Sequence, residues 1–108
     1  MTDKPSPIDQ LFLLEMTGDD VELANDMLAF FLTNAENYLE ALETMKESPD
    51  EWRLMAHKFK GACRSIGAKG LADVLQLAEP IEPSDQLKRQ EFLEEISVAL
   101  KNISLVKV

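Results

Sequence analysis

One cysteine, Cys63, in 108 residues excludes an internal disulfide, which is compatible with a reducing compartment. Only four glycines and few β-branched runs favour helix over strand. No stretch approaches the roughly 20 apolar residues that cross a bilayer, so no membrane association is expected. The start, Met1-Thr-Asp-Lys-Pro-Ser-Pro, has no apolar run of the secretory type, and a cytoplasmic location is expected. Basic residues are also scarce: 11 Lys and Arg against 20 Asp and Glu give a net charge of −9. Such a surface repels phosphate backbones, so nucleic acid is excluded as the main partner. The sequence has no repeat and no low-complexity tract.

What remains is an ordinary globular composition, 45% hydrophobic and 29% charged, rich in Leu, Ala, Glu, Met and Lys. A chain of this length fits one domain, 1–108, with residues 1–5 expected to be disordered. It buries enough surface to fold without metal or disulfide. Five helices are expected. The first starts at Ser6-Pro7, serine capping and proline at the first helical position. It carries Leu11, Phe12 and Leu14 or Glu15, stops at Gly18, and lies across one end of the fold. Asp19 with Glu22 resembles a capping box and opens the second helix. There Ala24, Met27, Phe31, Ala35, Tyr38, Leu42 and Met45 recur at steps of three and four and line one core-facing stripe.

Ser48-Pro49-Asp50-Glu51 is the clearest helix start in the chain, and Gly67 is placed to end that third helix after Ile66. A fourth helix from Lys69 or Gly70 carries Leu71, Val74, Leu75 and Ala78 until Pro80 and Pro83 end it. Ser84 or Asp85 caps a fifth, with Phe92, Ile96, Ala99 or Leu100, and Ile103 inward. The expected fold is all-α: an antiparallel four-helix bundle with an additional short N-terminal helix.

The third helix carries the functional signal. Its apolar set is Trp52, Met55, Phe59, Ala62, Cys63 and Ile66, and His57 lies roughly 170° from the centre of that stripe. The sole histidine therefore faces water. Arg53, Lys60, Gly61 and Arg64 are assigned to the same exposed face. From Arg53 to Lys69 there are five basic side chains, Lys58 among them, and no acidic one. A local positive site around an imidazole suits an anion that arrives and leaves, such as a phosphoryl group. Gly61 inside a helix costs about 0.5–1 kcal/mol against alanine. Clearance for another protein's active site beside the ring accounts for it. On these residues alone, an inert solvated histidine stays open.

The run Ala56-His57-Lys58-Phe59-Lys60-Gly61-Ala62-Cys63-Arg64-Ser65-Ile66-Gly67 resembles the signature of histidine-phosphotransfer domains: histidine, Lys60 at +3, Gly61 at +4, Gly67 at +10, then Leu71. The bundle layout is similar to that family across nearly the whole chain. The resemblance implies that His57 is the phosphorylated nucleophile and that Lys60 neutralises phosphoryl charge. It also implies that Glu79 orients the imidazole through its second nitrogen. Without the resemblance, Glu79 reads as an ordinary surface glutamate near a helix end. Arg64 is no fixed part of the pattern and stands as a physical candidate for the same charge stabilisation. Gly61, Lys58 and Arg53 are the expected partner-docking residues. Phe59 and Cys63 depart mildly from the pattern, at positions that project inward.

The implied partners are response-regulator receiver domains and a sensor (hybrid) histidine kinase. Mg²⁺ is expected in the receiver, with no cofactor or metal in this chain. A carrier is expected, with no autonomous kinase activity, because the chain has no Walker-type phosphate loop. The expected state is a monomer, and the ends favour a free-standing protein. The alternatives are the phosphorylatable module of a larger chemotaxis-type kinase, or a docking protein of the same fold that is never phosphorylated. A di-iron bundle is a poor fit, since it needs repeated Glu-x-x-His motifs and position 54 is Leu.

Overall fold

The computed structural model describes residues 7–108, and all its regular elements are helices. They are α1 (Gln10–Met16), α2 (Val21–Thr44), α3 (Pro49–Ile66), α4 (Lys69–Ala78) and α5 (Gln86–Ser104). Residues 1–5, expected to be disordered, lie outside the described residues.

Three of the five starts are capped by an aspartate, because its short carboxylate accepts an amide that has no intrahelical partner. Asp9, Asp20 and Asp85 accept from the amides of Phe12, Leu23 and Lys88. The first helix therefore starts at Asp9, not at Ser6-Pro7. The second is capped by Asp20, one residue after the expected Asp19, which instead adopts a left-handed conformation beside Gly18. That tight reversal uses up the residue assigned to the cap. Ser48 and Pro49 open α3 as expected, with the Ser48 hydroxyl accepting from the Glu51 amide.

Four helices close a ring: α2 packs on α3, α3 on α4, α4 on α5, and α5 back on α2. Contacts between opposite ends show that these neighbours are antiparallel. The Trp52 indole at the start of α3 donates to the Ala78 carbonyl at the end of α4, at 2.7 Å. Asn25 near the start of α2 holds both backbone groups of Val108, beyond the end of α5. One core fills the ring, with Trp52, Phe59, Leu42, Leu75, Ile96 and Ile103 fully buried. Tyr38 of α2 stacks on Phe59 at 5.3 Å. In α2 the buried set is Ala24, Leu28, Phe31, Ala35 and Leu42, while Met27, Tyr38 and Met45 sit at its edge. In α5 it is Arg89, Ile96, Leu100 and Ile103, with Phe92 and Ala99 at the edge.

The short α1 is tied to the end of the bundle where α3 turns into α4. The Asp9 amide donates to the Gly67 carbonyl at 2.9 Å, and Lys69 reaches the Asp9 carboxylate at 3.2 Å. Its buried residue is Leu13; Leu11 points out and Phe12 is half-exposed. Gly67 ends α3 with φ +82°, and a Cβ there would stand 3.2 Å from both Asp9 Cβ and Phe12 Cδ2. The turn thus needs glycine for both conformation and room.

Candidate functional site

The site begins with what fixes α3 against α4. The buried Trp52–Ala78 bond anchors the last turn of α4 to the first turn of α3. Glu79 is the next residue and still has helical dihedrals, so its side chain continues the face of α4 that meets α3. One turn further along α3, His57 projects from the opposite side of that seam. Its side chain is 67% exposed, whereas that of Glu79 is 17% exposed. The expected outward histidine and the expected reach of Glu79 are both present.

His57 Nδ1 lies 2.9 Å from Glu79 Oε1. Burial works to raise the Glu79 carboxyl, but hydrogen bonds from Lys60 and His57 outweigh it and hold its pKa below the ordinary value. An ionised carboxylate only accepts, so Nδ1–H is the donor. Nε2 is then the nitrogen with a free lone pair. Geometry and charge together leave an exposed ring with one tautomer selected.

Lys60 is placed differently from its expected position. It is buried rather than on the exposed face, with its Nζ 3.0 Å from Glu79 Oε1 and 3.1 Å from Oε2. The apolar stripe reaches further round α3 than the expected set, because Ala56 is also fully buried. With Ala56 four residues before it and Cys63 three after, Lys60 shares the buried face. The cation therefore grips the carboxylate that orients the ring.

The remaining basic residues separate by partner. Arg53 pairs with Asp50 at 3.0 Å, one turn back on α3, in an exposed contact that neutralises it. Arg64 Nη2 donates to the Gln76 carbonyl oxygen at 3.0 Å, across the seam to α4. Lys58 is exposed. Gly61 is exposed too, and a Cβ on it would meet nothing within 4 Å, so no helix of the bundle requires the glycine. Cys63 is fully buried, and burial pushes its thiol up to about 12. It is inert at neutral pH. Among the described residues no group of His, Cys, Asp and Glu side chains could hold a metal ion. No helix there is long and apolar enough to cross a membrane.

Sequence reasoning missed the pairing of Lys60, the Asp50 partner of Arg53 and the Gln76 partner of Arg64. The first was readable from helix phase once Ala56 is counted as core. The third required the register of α4 against α3, which no local pattern contains.

The chain is an antiparallel helical ring that displays one oriented imidazole. The family model for the Hpt domain matches residues 26–105, and the chain belongs to that family. Hpt domains carry out histidine phosphotransfer in two-component phosphorelays, with receiver domains and histidine kinases as their partners. No curated protein and no solved structure matches the chain.

Proposed function

We propose that His57 accepts a phosphoryl group from the phosphorylated aspartate of one receiver domain and passes it to the aspartate of another. The observation that carries this is the 2.9 Å bond from His57 Nδ1 to Glu79 on an otherwise exposed ring. Nε2 attacks phosphorus in line; the N–P bond forms as the aspartyl O–P bond breaks, releasing a carboxylate. The ring becomes cationic while its Nδ1 proton stays hydrogen-bonded to Glu79. An anionic partner at that nitrogen favours the charged product, and Lys60 holds the partner in place. The second transfer reverses these bond changes on another carboxylate.

In such transfers the work is positioning and charge stabilisation. Mg²⁺ and most of the catalytic groups belong, in this reading, to the receiver. This chain acts as a monomeric cytoplasmic carrier without kinase activity of its own. Gly61 gives the receiver access beside the ring, with Lys58 and Arg53 at the rim of the contact.

The test is transfer of labelled phosphate from a phosphorylated receiver. An acid-labile, base-stable label on the wild type that is lost in His57→Gln supports the proposal. Label retained in that variant, or never acquired from any receiver or kinase, rejects it.

A further inference from the structure

The cations of α3 and of the first position of α4 differ in whether their charge is already used. Arg53 closes on Asp50, Lys60 on Glu79 and Lys69 on Asp9. Lys58 and Arg64 form no ion pair with a carboxylate among the described residues. Of these two, Arg64 is the one held in place, by a hydrogen bond to the neutral amide of Gln76. A neutral acceptor positions the guanidinium without cancelling its charge, and the rest of its planar donor fork stays free.

The placement is specific. Gln76 precedes Glu79 by one turn on α4, so His57–Glu79 and Arg64–Gln76 are two rungs across the same α3–α4 seam. Seven residues separate His57 from Arg64 on α3, but Gln76 is three residues from Glu79 on α4, so the guanidinium reaches back to about one turn from the histidine rung. Gly61 lies between them on that face and leaves open space above it. A protein that brings an aspartyl phosphate to Nε2 must settle over Gly61, and its next surface meets Arg64. Anchored to Gln76, the Arg64 guanidinium is held beside the ring on the face that a partner must cover. The chain carries a net charge of −9, so an acidic partner needs a local positive contact to overcome long-range repulsion.

We propose that Arg64, positioned by Gln76, is a docking residue that pairs with a surface carboxylate of the receiver beside its phosphorylated aspartate. This rests on the relay reading above and assigns Arg64 to partner affinity and choice, with Gln76 as its positioning residue.

The experiment measures receiver binding by titration, and phosphotransfer as separate KM and maximal rate, for the wild type, Arg64→Ala and Gln76→Glu. Arg64→Ala is expected to raise Kd and KM about 5- to 20-fold, within the range of one close charge pair, with the maximal rate unchanged. Its binding should also depend less on salt. Gln76→Glu keeps the shape of the rung but turns it into an ion pair, and is expected to weaken binding in the same direction. A structural role for the rung predicts the opposite for Gln76→Glu: greater thermal stability with Kd and KM unchanged. That outcome overturns the proposal, as does a lower maximal rate at unchanged KM in Arg64→Ala. Absence of label on wild-type His57 rejects the relay reading, whereas wild-type Kd in Arg64→Ala rejects only the docking role.

Discussion

One oxygen of Glu79 receives two donors: Oε1 lies 2.9 Å from His57 Nδ1 and 3.0 Å from Lys60 Nζ. The ring is thereby connected to the Lys60 ammonium through one carboxylate oxygen. Glu79→Ala removes the acceptor that selects the tautomer and stabilises the charged ring. A hydrogen bond to a charged group contributes about 1.5–3 kcal/mol, which corresponds to about 10- to 100-fold in rate. Phosphotransfer to and from Glu79→Ala should slow by that factor in a stopped assay. Glu79→Gln keeps an acceptor oxygen and should fall between this variant and the wild type. Equal rates in all three would remove Glu79 from the mechanism.

Lys60 is expected to affect stability as well as rate. Its side chain is 9% exposed and its charge is matched by Glu79 alone among the described residues. Lys60→Met fits the same channel but leaves Glu79 with His57 as its remaining partner. A loss of about 1–3 kcal/mol in urea unfolding is expected, the cost of leaving a largely buried polar group short of a bond. Transfer should slow too, because a carboxylate freed from Lys60 orients the ring less well. An exposed lysine acting only on the phosphoryl group would slow transfer without changing stability, so the two measurements together separate the roles.

Two glycines of α3 and its cap are expected to respond to alanine with opposite signs. At Gly61 the helix gains propensity and the new methyl meets nothing, so Gly61→Ala should stabilise the fold by about 0.5–1 kcal/mol. At Gly67, φ is +82° and the new methyl presses on Asp9 and Phe12 at 3.2 Å. Gly67→Ala should therefore destabilise by about 1–3 kcal/mol. Thermal unfolding of both variants checks the signs. A bulkier Gly61→Leu should leave the fold intact and block receiver binding.

How far the sequence could be read depends on whether each feature is local. Ser48-Pro49 and Gly67 are read correctly because a cap is decided within four residues of chain. The outward direction of His57 follows from helix phase alone. Asp9 and Asp20 are missed as caps because neighbouring residues, Ser6 and Asp19, offer equally good local chemistry. The choice between them is made by packing and by the turn at Gly18. Lys60 is taken for a solvent-facing side chain because charge is a poor guide to direction. It has buried neighbours at helical spacing, Ala56 four residues before it and Cys63 three after. The reach of Glu79 to His57 entered through family resemblance, since 22 residues and a change of helix separate them.

Acid should loosen this site before it unfolds the bundle. The pKa of Glu79 in the folded protein lies below its ordinary value of 4.5, because the bonds from Lys60 and His57 outweigh the burial that acts to raise it. A carboxyl whose folded pKa is depressed adds stability that is complete above the unfolded pKa and is lost as pH falls through the folded one. Asp9 has the same sign: its pKa is lowered first by the Phe12 amide and then by Lys69, and it is an exposed group at the tie between α1 and Gly67. The melting temperature should therefore hold level down to about pH 5 and decline below it. Glu79→Gln, which cannot titrate, should start from a lower plateau and show a shallower decline. A variant whose decline below pH 5 is as steep as that of the wild type would place the acid sensitivity elsewhere, in carboxylates that do not touch His57.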